Sequence, residues 1–566
     1  MKKLSAIALL VIASLFISQA SSALQDDEQW KKPTNFSTGF HEVLFEEGIA
    51  PLDVFPHLWG EGSFGRRICK STTDGDCAKS YIYSYTAIYP VCSSAAELDC
   101  VESLDAVLPD GKVESAVFKR YSAPTHENLF SPNVALGIPK TATPGLWEFP
   151  TLQHAKGKTF VVDLGINGKY QTANHSVGHA KDLFGYVVPA AVLNGGNIHK
   201  YEYCKQGSVD SIGNTNTECI ITPETKSEAR CFMSLEENND CLMRVAFPND
   251  VKFKITARLS TEPVAWLHGR MVDPKISIQP LQGEAVKLSV EAGSTKVPVL
   301  YQGDYWSKLS AAGKEFWTYC KISGDNCGTI AAADETGKMN YSAEEEKSYK
   351  SSLMLNYGNV AIYALNTFAK LVGDKANAIP STWSFHALSA NEMAKASACI
   401  SDGKGLKGIV TTNATTYSEG PPSFIKGNLE YSVASPHFAP DGVTPLKGSY
   451  NLVMRSDIAR CFYNFSSAPI SATISIVNTD GSAQVATTVV NENLGWLSLA
   501  ANGFSYSNPT VKVKLSQAKN SSSAVTPTPM ASSATSIKTS ITCVKGKTTK
   551  KVTAINPKCP TGYKKR

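Results

Sequence analysis

Fourteen cysteines, an even number, stand downstream of an export signal, and this constrains the fold more than any other feature. Lys2 and Lys3 supply a positive start, Leu4 to Ile17 an apolar stretch, and Ser21-Ser22-Ala23 the small residues of a cleavage site. The mature chain is therefore expected to begin at Leu24, in an oxidising compartment where paired cysteines become disulfides. Short spacings predict the local pairs Cys69–Cys77, Cys92–Cys100, Cys231–Cys241, Cys320–Cys327 and Cys543–Cys559. Cys204–Cys219 and Cys399–Cys461 complete the set, with crossed pairing among Cys204, Cys219, Cys231 and Cys241 left open. The metal alternative needs CxxC knuckles, and the sequence has none. No second apolar run is long enough to span a bilayer, so no transmembrane anchor is expected after signal cleavage.

Removing residues 1–23 leaves roughly 540 residues, which predicts three or four domains rather than one. The expected class is mainly β with a helical insert, multidomain and β-sandwich-like, stapled by disulfides. Residues 24–140 read as a β-rich domain. In SYIYSYTAIYPV (80–91), Tyr81, Tyr83, Tyr85 and Tyr89 share one face of a strand. That face suits either core packing, the favoured reading, or stacking on sugars. Residues 141–300 read as a β-sandwich-like domain with strands near 159–164, 184–188, 242–247, 251–259 and 286–290.

Residues 301–380 read as a helical subdomain. Trp306, Leu309, Phe316 and Trp317 have helical spacing, and Ser342 with Glu345 fits a capping box before a helical stretch reaching Leu371. Residues 381–517 again read as a β-sandwich-like domain, with about seven short strands between turn signals. Residues 518–540, rich in Ser, Thr, Ala and Pro, form a linker with too little apolar area to offset ordering. A basic two-cysteine module, 541–566, follows.

The charge distribution separates this module from the body. It carries Lys545, Lys547, Lys550, Lys551, Lys558, Lys564, Lys565 and Arg566 and no acid. With +8 there and +2 in the signal, out of +5 for the whole chain, residues 24–540 carry −5. A disulfide between Cys543 and Cys559 holds the cations in a compact loop, a natural surface for anionic envelope polymers. Nucleic acid is not expected as a partner, because it lies in the wrong compartment.

Catalytic signatures are weak, and no catalytic, cofactor-binding or metal residue is assigned. His175 and His179 flank Gly178 in a polar context that favours a loop over a zinc site. Ser401 and Lys404 have SxxK spacing, but the companion motifs of serine acyltransferases do not occur. The WLHGR segment, 266–270, reads as a domain-junction turn with Arg270 paired to Asp273, or else as an exposed binding loop.

The ending ITCVKGKTTKK…PKCPTGYKK resembles a short basic two-cysteine terminus of secreted actinobacterial proteins. WLHGRM and SYNLVMRSDIARCFYNFSSAPISATISIV resemble segments of large uncharacterised secreted proteins of the same group. The resemblance implies compartment and β-rich architecture, and it carries no catalytic residue. The function expected from all of this is a secreted, non-catalytic cell-surface protein with a basic contact module. The alternatives are a secreted enzyme acting on envelope polysaccharide or peptide, or a soluble ligand-binding protein.

Overall fold

The computed structural model describes residues 56–517 and 539–565 with internal gaps, the largest at 195–204, 219–230, 316–330 and 334–348. The described chain forms two compact units, 1–517 and 518–566. In the first unit β-structure dominates, in several sheets.

The backbone of the first unit is a 16-stranded sheet. Its main path runs through Gly65–Ile68, His57–Gly62, Ile82–Ile88, Thr159–Gln171, Asp182–Leu193, Ser384–Ala387, Ala265–Arg270, Leu406–Thr412, Gly448–Arg455, Trp496–Phe504 and Thr487–Asn493. Along this path only Ala265–Arg270 and Leu406–Thr412 pair in parallel. The sheet draws strands from 24–140, 141–300 and 381–517 alike. The chain leaves this sheet after Asp182–Leu193 and again after Ala265–Arg270, and it returns from far along the sequence. Such pairings carry no local sequence signal.

Side chains alternate across each strand, so one strand can serve two cores. Leu267, Phe385, Ile409 and Val453 look into a core shared with a five-stranded sheet. That second sheet contains Cys100–Val107, Lys252–Leu259, Val272–Pro280 and Val286–Gly293. Trp266, Val410, Leu452 and Met454, one residue out of step, look into another core. There they meet a six-stranded sheet built on Asn428–Ala434, Ile470–Val477 and Thr510–Gln517. The central sheet is thus sandwiched on opposite faces at its two ends.

The tyrosine strand packs as core. Tyr83, Tyr85 and Tyr89 are buried, and only Tyr81 is exposed. The hydroxyls of Tyr83 and Tyr85 donate to the carbonyls of Cys77 (2.6 Å) and Gly137 (2.8 Å). Tyr85 lies flat across Gly168, its partner on the next strand; any Cβ there would collide with the ring. The aromatic face is therefore closed to sugars.

Cys69–Cys77, Cys92–Cys100 and Cys543–Cys559 are disulfides, paired as the spacing predicts, and Cys399–Cys461, expected as a pair that completes the set, is one too. Cys241 is also disulfide-bonded. Cys204, Cys219, Cys320, Cys327 and the side chain of Cys231 lie outside the described residues. Among the described residues no helix is long and apolar enough to cross a membrane.

The stretch 301–380 is helical only in part: among its described residues Ala311, Ala312, Lys314, Glu315, Ile362, Leu365 and Ala369 are helical as expected, while others form strands. Leu300–Tyr305, Tyr349–Met354 and Ala331–Ala333 form a three-stranded sheet. Tyr349–Met354 is its middle strand, paired on both edges, and this pairing overrides the helical spacing read from the sequence. The Ser342 capping box lies outside the described residues. A helix also forms at Ser456–Tyr463, with Asp457 in its first turn and Asn464 closing it in a left-handed conformation at φ 52°.

Candidate functional site

The module 541–566 folds as a small three-stranded sheet. Thr539–Lys545 is central, between Thr548–Ala554 and Lys564–Lys565. The Thr539–Lys545 strand extends two residues upstream of the expected boundary. Its register places Lys550 and Lys565 on either side of buried Cys543. Alternation then puts Lys545, Lys550 and Lys565 on one face and Lys551 and Lys564 on the other. The Cys543–Cys559 disulfide ties the loop bearing Lys558 to the central strand.

All six described lysines are exposed. None makes an ion pair with a described residue, while Lys550 Nζ lies 5.8 Å from the Tyr563 ring. No large apolar side chain of the described part of this module is among those strongly exposed. Lys547 and Arg566 lie outside the described residues. The structure thus brings the described cations together around one disulfide, as the spacing implied. The result is an exposed cationic surface.

A second, unexpected arrangement lies inside the body. On the face of the central sheet that bears Trp266, one register row reads Asp163, Tyr186, Ser384, Arg270. His386 and His268 stand opposite each other in the neighbouring row. At about 4.8 Å per strand, Asp163 and Arg270 are about 14 Å apart, too far to pair.

Arg270 is fully buried. Its guanidinium donates to the carbonyls of Thr412 (3.3 Å), Ala414 and Thr415 (3.3 Å) and lies 4.8 Å from the Tyr417 ring. The WLHGR segment is therefore a central strand and neither a turn nor an exposed loop. Asp273, the expected partner of Arg270, meets Lys252 instead at 3.5 Å. The reason is the chain's need to satisfy three inward-pointing carbonyls beside the parallel strand, a task suited to a planar guanidinium.

His268 is buried, and neither ring nitrogen has a hydrogen-bond partner. Burial, then the nearby Arg270 charge, holds its imidazole well below the usual range, so it is neutral. Asp163 is buried with both carboxylate oxygens unpartnered, and burial pushes it up to about 8. It is therefore a neutral acid near pH 7.

The sequence singled out 266–270 only as a turn or a loop, and it left Asp163 unmarked. The signals of this seam were an aspartate inside the apolar run FVVDLGI and a two-residue alternation of Trp266, His268 and Arg270. His175, His179 and Lys404 lie outside the described residues. The Ser401 hydroxyl donates to the Ser397 carbonyl at 3.2 Å. Among the described residues no three His, Cys, Asp or Glu side chains converge as metal ligands would. No family model, curated protein or solved structure matches the chain.

Proposed function

We propose that this is a secreted, non-catalytic cell-surface protein that contacts anionic envelope polymers through residues 541–566. The observation that carries this reading is the set of six exposed lysines, without any acid, five on one small sheet and Lys558 on the loop that the disulfide ties to it. Such a surface attracts polyanions over about a Debye length, and the attraction weakens as salt rises. The absence of strongly exposed large apolar side chains among its described residues favours a hydrated polymer over insertion into a bilayer. The Ser/Thr-rich stretch before it supports use of the module as a tether for the β-body.

The test is co-sedimentation of the mature protein with purified cell walls, with and without residues 541–566, across a salt series. Binding that needs the module and falls with salt supports tethering. Equal binding by the truncated protein refutes it.

A further inference from the structure

We propose that the solvent face of the first four strands of the central sheet binds an acidic glycan strand, with Trp59 as the stacking platform and Lys169 as the anion contact. This site lies in the body of the protein and is independent of the basic module.

The tyrosines fill one face of this sheet, so the other face carries whatever the strands present to solvent. One register row there reads Ile68, Trp59, Ser84, Lys169. Ile68 is 41% exposed, Trp59 and Ser84 are half-buried, and Lys169 is exposed. Arg66, also exposed, holds its guanidinium 4.6 Å from the centre of the Trp59 ring. The row therefore grades from apolar to hydroxyl to cation across four neighbouring strands.

Each part matches a feature of an acidic sugar chain. An indole and an adjoining isoleucine offer an apolar surface to the C–H face of a sugar ring. Ser84 offers a hydroxyl in the middle of the row. Lys169 stands two strands from Trp59, about 10 Å, on the side away from Glu61 and Arg66, which face each other across the first hairpin. Neither Arg66 nor Lys169 makes an ion pair with a described residue; Lys169 is open to a carboxylate, and a carboxylate that draws the Arg66 guanidinium off the Trp59 ring uncovers the indole for the sugar. A neutral glycan would use the platform and leave both cations unanswered. A compact anion would use the cations and leave Trp59 idle. An acidic glycan uses both.

The experiment takes the full chain with Lys545, Lys547, Lys550, Lys551, Lys558, Lys564, Lys565 and Arg566 changed to Gln, so the module cannot contribute. Polygalacturonate oligosaccharides are titrated calorimetrically, with cello-oligosaccharides of equal length as the neutral probe. Binding of the acidic probe at least tenfold tighter than the neutral one is expected. Trp59→Ala should weaken it at least tenfold, and Lys169→Glu, at an exposed position that does not threaten folding, should do the same. No binding of the acidic probe, equal binding of both probes, or unchanged affinity in Lys169→Glu overturns the proposal. None of these results bears on the wall-tethering module, which is neutral throughout.

Discussion

His268 lies face to face on Tyr417, with ring centroids 3.5 Å apart and planes 9° from parallel. The contact joins the Ala265–Arg270 strand of the central sheet to Thr416–Tyr417 of the six-stranded sheet. It also seals the imidazole from water, which makes the interface sensitive to acid.

Because the folded-state value of His268 is depressed, its contribution is complete above the unfolded value of about 6.5 and is lost as pH falls below it. His268→Phe keeps a flat ring against Tyr417 and removes the titration. Between pH 7.5 and 5.0, the wild type should lose about 2 kcal/mol more unfolding free energy than the variant. Urea unfolding at the two pH values measures this. Equal losses would show that His268 does not titrate against folding.

Asp163 works in the opposite direction. Its carboxyl is raised to about 8 by burial, whereas the unfolded chain ionises near 3.8. The folded state therefore holds a proton that the unfolded state releases, and stability falls as pH climbs from about 4 towards 8. Asp163→Asn should differ little from wild type at pH 4 and be the more stable protein at pH 7. The upper bound on that gain is about 4 kcal/mol, at about 1.4 kcal/mol per pH unit. A variant that is equally stable, or less stable, at pH 7 would mean the carboxylate finds a partner.

The disulfides give a ranking. Cys399–Cys461 spans 62 residues and pins the helix Ser456–Tyr463, while Cys92–Cys100 spans 8. Loop-closure entropy predicts about 4 kcal/mol for the long bridge and about 2.5 kcal/mol for the short one. Replacing each pair by serines and measuring unfolding free energy should reproduce that order. A short-loop variant that loses more than the long-loop one would place the effect in the native state.

What the sequence made legible was local. Short cysteine spacings predicted the bridges at 69–77, 92–100 and 543–559, and alternation placed the strands of 406–517 within a few residues. Tyr83 and Tyr85 lay on one face as read, although their role as core needed the neighbouring strand and Gly168. The long-range pairings were not legible. Nothing near Ser384–Ala387 announces that it inserts between Asp182–Leu193 and Ala265–Arg270. The buried seam depends on those pairings, which is why Arg270 was matched to nearby Asp273 rather than to carbonyls some 140 residues away. The basic module was legible because its charge and its bridge are both local.

Arg270 supplies the sharpest mechanical test. Its three acceptors, on Thr412, Ala414 and Thr415, form the corner where the chain leaves the central sheet for the six-stranded one. Lysine keeps the charge but cannot spread donors over three carbonyls, and it lacks the flat face that lies over Tyr417. Arg270→Lys should therefore lower unfolding free energy by about 3 kcal/mol, the range seen when a buried charge loses its partners. Arg455→Lys is the control, because Arg455 pairs with Asp457 at 2.8 Å in an exposed setting where such pairs contribute about 0–1 kcal/mol. If the two variants lose equally little, Arg270 does not hold the corner. A large loss confined to Arg270→Lys, with the far-ultraviolet spectrum unchanged, would place the coupling of the two sheets at this one side chain.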